Sequence, residues 1–227
     1  MDLEDKDLAF LVPARLYICG ATGSGKTFFL LKLLEHRTHL FDKTFNKIIY
    51  SHPGEIEEQL KNRLHTVAPD VEIVSGLPDF SEVSVYPGEK LVIIDDQILS
   101  LVNKKELFDA ITIFSNHDHI SLIITSQNFF IQGKHSKTLH RNTSYKILFR
   151  DRGDRQWLNT FSAQMFGNKT NFLSQCMDWV VQHVENIYDH YLVIDNSPRS
   201  SLPLNMLVKT NIFPGKDGEI EPIFFDT

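Results

Sequence analysis

Eight residues near the start of the chain, Gly20-Ala21-Thr22-Gly23-Ser24-Gly25-Lys26-Thr27, constrain it more than any other stretch. They fit the spacing G-x-x-x-x-G-K-[ST]. The glycines let the backbone bend until successive N–H groups point at one spot, which makes a cradle for phosphate oxygens. A helix beginning near Lys26 adds the positive end of its dipole to that spot. Lys26 would supply a full charge to the β- and γ-phosphates of ATP, and the Thr27 hydroxyl is suited to ligand Mg²⁺. The pattern has this meaning only between a strand and a helix, and both are legible. Arg15–Gly20 is a short run rich in strand formers. Lys26–His36 carries Phe28, Phe29, Leu30, Leu31, Leu33 and Leu34 and has almost no polar face, so it reads as a buried helix.

The rest of the chain alternates in the same way. Strands are expected at Asn46–Ser51, Val71–Ser75, Lys90–Asp95, Ser121–Thr125, Ser144–Phe149, Tyr191–Asp195 and Ile223–Phe225. Helices are expected at Glu55–Leu64, Ile98–Phe114, Asp154–Phe166 and Asn171–Tyr188. The runs Lys90–Asp95 and Ser121–Thr125 are continuously apolar, the mark of strands covered on both faces. Such strands alternating with helices predict an α/β fold with a mainly parallel sheet flanked by helices. Three spans follow: an acidic lead-in over 1–13, a core over 14–167, and a C-terminal extension of the same domain over 168–227.

Two further motifs belong with the phosphate loop. Leu91-Val-Ile-Ile-Asp95-Asp96 is an apolar strand ending in paired acids. Asp95 is placed to hold Mg²⁺, and Asp96 to orient or deprotonate an attacking water. A second carboxylate here favours hydrolysis, since a phosphotransfer kinase has no need of a water-activating acid. Leu122-Ile-Ile-Thr125-Ser126-Gln127 is an apolar strand ending in hydroxyls and an amide. Ligands in open parallel sheets sit at the carboxyl ends of strands, so Gln127 is expected to sense the γ-phosphate or the water.

Charge is distributed unevenly. The chain has 23 Lys and Arg against 29 Asp and Glu, a net of −6. The tract from Gln132 to Arg155 runs the other way, with Lys134, Lys137, Arg141, Lys146, Arg150, Arg152 and Arg155 against Asp151 and Asp154. Such a tract can contact DNA phosphates or project an arginine into a neighbouring subunit's nucleotide. Arg150 and Arg141 are the candidates for that arginine. Lys104-Lys105 is a smaller basic pair suited to a loop lining a channel. Asn116-His-Asp-His119 matches no standard zinc spacing and reads as a polar loop. Cys19 and Cys176 are too few for a disulfide framework or a zinc site, which points to a reducing compartment. No run of 18 apolar residues predicts a membrane span, and the acidic start lacks the layout of a secretory signal.

Taken in order, the phosphate loop Gly20–Thr27, the strand with tandem acid Ile93–Asp96 and the strand with terminal glutamine Ile124–Gln127 resemble the FtsK/HerA superfamily of ring-forming DNA-pumping ATPases. The likeness is closest to its small viral genome-packaging members, the poxvirus-type enzymes and those of virophages and Polinton-like elements. The run Asn142–Arg150, followed by Asp154-Arg155 and later Met165-Phe-Gly167, resembles the segment after the sensor in FtsK-type translocases. Many of those enzymes carry Glu at the place of Asp96. The resemblance covers residues 14–167 and implies a RecA-like P-loop NTPase core, ATP and Mg²⁺ as cofactors, a homo-oligomeric ring of five or six subunits and double-stranded DNA in its pore. It further implies capsid proteins as partners, no membrane, and work in the host cytoplasm or nucleus where virus assembles. A P-loop kinase acting on a nucleoside or other small molecule, and a helicase or AAA+-type remodeller, are the alternative readings of the same loop. Residues 168–227 match no family pattern.

Overall fold

The computed structural model describes residues 8–97, 102–109, 112, 117–153, 155–215 and 218–226. Among the described residues nine strands form one sheet: β1 (Arg15–Cys19), β2 (Lys47–His52), β3 (Glu72–Ser75), β4 (Lys90–Ile94), β5 (Ile120–Ser126), β6 (Tyr145–Phe149), β7 (Tyr191–Asp195), β8 (Val208–Thr210) and β9 (Ile223–Phe225). Their spatial order is β3-β2-β4-β5-β1-β6-β7-β8-β9. The first six are parallel, and β7 to β9 add antiparallel. This is the α/β, mainly parallel, RecA-like P-loop architecture anticipated from the apolar runs.

Side chains alternate faces along each strand, and the two faces build two cores. Leu16, Ile18, Leu91, Ile93, Ile123, Ile147 and Phe149 pack with α1 (Lys26–Glu35), α2 (Arg37–Leu40) and α3 (Glu58–Val67). Tyr17, Cys19, Val92, Ile94, Leu122, Ile124 and Leu148 pack against the opposite helical layer. That layer holds α4 (Phe80–Ser84), α6 (Ser136–Asn142), α7 (Gln156–Phe166) and α8 (Phe172–His183). A further short helix, α5, covers Lys105–Asp109. Every residue of β4, β5 and β6 is buried. Their continuous apolar runs therefore follow from having helices on both sides.

Some boundaries differ from expectation. Within the helix anticipated over 98–114, the described residues show a turn at Val102-Asn103 and helix at Lys105–Asp109; residues 98–101, 110–111 and 113–116 lie outside the described residues. So do residues 1–7 of the acidic lead-in, Asn116 of the polar loop and Asp154 of the basic tract. The helix anticipated over 55–64 begins three residues later, at Glu58, after the His52-Pro-Gly54 turn. The helix anticipated to Tyr188 stops at His183, and a 3₁₀ turn, Ile187–Asp189, follows. Helix α6 and strand β8 carried no periodic signal, since α6 buries Leu139 alone. Among the described residues, no helix is long and apolar enough to cross a membrane.

Candidate functional site

Parallel alignment brings the carboxyl ends of β1, β4, β5 and β6 to one end of the sheet. Strand β5 lies between β1 and β4. The loop after β1 and the acids after β4 therefore flank whatever ends β5, and that is Gln127.

The loop Gly20–Thr27 is tied to β5 at its start and closed by a turn within itself. Gly20 N donates to Ser126 O at 3.1 Å, and Ser24 N to Ala21 O at 3.1 Å. Gly23 and Gly25 hold φ values of 76° and 110°, a region that L side chains avoid. Gly25 caps α1 without any side-chain hydrogen bond, so the first N–H groups of the helix are left for a ligand. A Cβ on Gly25 would lie 2.9 Å from the Tyr188 carbonyl oxygen and 3.2 Å from the Phe149 ring. Ser24 Oγ is buried without a hydrogen-bond partner. Thr27 is exposed. Lys26 Nζ donates to Gly20 O at 2.6 Å and Ala21 O at 3.1 Å. Burial pulls its pKa down, and the negative charge of Asp96 opposes that most.

The two acids differ in setting. Asp95 is 6 % exposed. Its Oδ1 accepts from Thr125 Oγ1 at 2.6 Å, and its Oδ2 accepts from the Tyr50 hydroxyl. Burial first, and Asp95 second, push the Tyr50 phenol well above its ordinary pKa, so it remains a donor. Asp96 is exposed and adopts φ 52°. Its backbone N–H donates to Thr125 Oγ1 at 2.8 Å. One hydroxyl thus ties both acids to β5. The Gln127 amide nitrogen donates to Asp96 Oδ2 at 2.9 Å and Oδ1 at 3.2 Å. Gln97 adds a bond from its amide to Ser51 Oγ at 2.6 Å, which bridges the β4 end to β2.

The structure thus gathers Gly20–Thr27, Asp95, Asp96 and Gln127 at adjacent strand ends. The two arginines lie apart from each other. Arg150 follows β6 and lines a 450 Å³ cavity with Ala21, Thr22, Gly23 and Ser24 of its own loop, and with Ile187 and His190. Arg141 is exposed at the end of α6 and lines a different cavity, beside Phe130 and Lys146. Sequence reasoning missed Tyr50 as a support for Asp95. Its signal was a polar end, Tyr50-Ser51-His52, on a strand next to the acidic one. Thr125 was read as a small hydroxyl and turns out to join the two acids. The segment Ile187–His190 was missed because nothing local marks it as adjacent to a loop far earlier in the chain.

This arrangement can hold a polyphosphate between amides and an ammonium, with a carboxylate and an amide beside its end. No protein-family model matches the sequence, and no curated protein matches it. Among solved structures, the chain is similar to the genome packaging NTPase B204 from Sulfolobus turreted icosahedral virus 2. The complex with sulfate gives a TM-score of 0.51 at 16% identity, covering 81% of this chain and 92% of that one. The complex with AMPPCP gives 0.51 at 14% identity, covering 81% and 93%. The likeness is one of fold across nearly all of the viral protein.

Proposed function

We propose that this chain is an ATP-hydrolysing motor that drives double-stranded viral DNA into a capsid, acting as a ring of five or six copies. One observation carries the reading: Gly20–Thr27, Asp96 and Gln127 converge at the ends of three neighbouring strands, with Asp96 held directly by Gln127. That pairing puts an activating carboxylate, rather than an acceptor pocket, where the terminal phosphate would end. The fold shared with B204, a genome packaging NTPase solved with an ATP analogue, supports both the nucleotide and the packaging role.

In this reading Lys26 leaves the Gly20 and Ala21 carbonyls for the β- and γ-phosphates. The α1 amides and Ser24 Oγ take the remaining phosphate oxygens. Mg²⁺, which neutralises phosphate charge when bound, suits the Thr27 hydroxyl and Asp95. Both Asp95 oxygens already accept a hydroxyl, but each keeps a second lone pair for a metal-bound water. Gln127 releases Asp96 on meeting the terminal phosphate, and Asp96 then orients the attacking water and accepts its proton. The nucleobase occupies the cavity of Arg150 and Ile187. Arg141, exposed and away from its own loop, is the arginine that reaches a neighbouring subunit. The basic tract and Lys104-Lys105 meet DNA, capsid proteins anchor the ring, and the work takes place in host cytoplasm or nucleus during virus assembly.

The test is the ATPase rate with and without duplex DNA, measured together with oligomer mass. Stimulation by duplex in a ring-sized particle is expected. ATP consumption only by a monomer supplied with a small-molecule acceptor would overturn the motor and favour a kinase.

A further inference from the structure

Away from the loop, a second cavity of 760 Å³ opens between α6 and α7. Lys146 lies in its wall and is only 3% exposed. Among the described residues its ammonium reaches a single acceptor, the Thr143 carbonyl, at a long 3.4 Å, and no carboxylate among them offsets its burial. The neighbouring His140 presents a buried Nε2 without a hydrogen-bond partner among the described residues. The cavity lining also includes Lys137 and Arg141 and contains no acidic residue, in a chain of net charge −6.

A buried charge with one long hydrogen bond and no counter-charge is a cost to the fold, and an apolar side chain of similar size would remove it. Its retention calls for something outside the fold to pair with it. Lys146 and Lys137, without Arg141, supply two positive charges for a dianion, and a phosphate monoester approaches two charges at neutral pH. A charge deep in a recess reaches a group that ends a molecule more readily than one within a chain. At the cavity lies Phe130, 46% exposed. Its ring meets the buried Phe129 edge-on at 5.0 Å and 85°, so Phe130 alone offers an exposed aromatic face of the kind on which a base stacks.

We infer that this recess binds a 5′-nucleotide, with its terminal phosphate on Lys146 and its base against Phe130. The source is either a free mononucleotide or the 5′ end of a DNA strand. Only the second rests on the DNA reading above, and the site is separate from the ATP loop.

The experiment uses the full chain carrying Lys26→Ala, so that the loop does not compete for phosphate. Binding of AMP, and of 3′-labelled oligonucleotides with a 5′-phosphate or a 5′-hydroxyl, is measured by calorimetry and anisotropy. The phosphorylated strand is expected to bind at least about tenfold more tightly than its hydroxyl twin, a difference of roughly one order in the equilibrium constant. Lys146→Met should erase that difference, and Phe130→Ala should weaken binding of both strands. If AMP alone shows the Lys146 dependence, the free nucleotide is the source. If no ligand distinguishes Lys146→Met from its parent, the buried lysine pairs with no phosphate and the inference falls. Thermal melting of Lys146→Met checks that the variant folds. Duplex-independent ATPase together with Lys146-dependent binding would sink the motor reading and leave this one standing.

Discussion

The Gln127 side-chain amide donates from one nitrogen to both carboxylate oxygens of Asp96. That grip fixes the orientation of the carboxylate, and each oxygen keeps a second lone pair that can face a water. Asp96→Asn is expected to bind ATP with little change and to lower kcat by about 10²–10⁴, the usual worth of a general base. Gln127→Ala should lower kcat by about tenfold or more with a similar Kd, because Asp96 at φ 52° loses its guide. Single-turnover hydrolysis alongside equilibrium ATP binding separates the two effects. Near-normal turnover by Asp96→Asn would remove it as the base.

Lys26 is tethered to two carbonyls of its own loop. Lys26→Ala should abolish measurable turnover. The folded structure should persist, since those two bonds are local. Circular dichroism with an ATPase assay reads both.

Thr125 has no surface exposure and bonds to both acids. Thr125→Val keeps the shape and removes the hydroxyl. It leaves an Asp95 oxygen and the Asp96 N–H short of a partner, which should cost about 1–3 kcal/mol. Denaturant unfolding measures the loss. Turnover should fall further than stability alone explains, because the two acids lose their common tie.

Gly25→Ala meets two obstacles, a φ of 110° and the Tyr188 carbonyl 2.9 Å from the new Cβ. Strain of roughly 1–3 kcal/mol is expected. ATP affinity should drop along with melting temperature. Gly23→Ala shares the backbone strain but meets nothing within 4 Å, so it should be the milder change.

Burial pulls the Lys146 pKa from 10.5 to about 8. Below pH 8 the folded and unfolded chains both hold the proton, and the full cost of roughly 3 kcal/mol applies at 1.36 kcal/mol per unit. Between pH 8 and 10.5 the unfolded chain keeps a proton that the folded chain has shed, so stability rises with pH. Lys146→Met should therefore be more stable than the parent below pH 8, with the gap closing towards pH 10.5. Lys209, also lowered to about 8 by burial, is common to both proteins and cancels in the comparison. Urea unfolding at pH 7 and pH 10 tests the convergence.

The phosphate loop, the paired acids and the glutamine were readable because each is a short local pattern on an apolar strand. Their meeting follows from parallel strand order, which apolar runs predict. Tyr50 and Thr125 were harder to recognise, since a phenol or a hydroxyl near a strand end has many uses and only register sets its partner. The turn at Val102-Asn103 falls within the helix expected over 98–114, because the apolar residues on either side of the polar run Asn103–Glu106 keep a helical spacing that does not mark a break. Helix α6 was hidden because a single buried leucine makes no stripe. Arg150 could be named from charge alone, but whether it faces its own loop depends on β6 lying beside β1, a fact of topology.

The Tyr188 carbonyl rests where any side chain on Gly25 would have to go, and Lys32 of α1 is ion-paired to Asp189 at 3.0 Å. The floor under the loop is therefore supplied by a stretch of chain more than 150 residues downstream. That stretch leads directly into β7 and the antiparallel edge. A side chain added at Gly25 would therefore press on the backbone that enters β7, so the tolerance of the loop to substitution is set in part by the antiparallel end of the sheet.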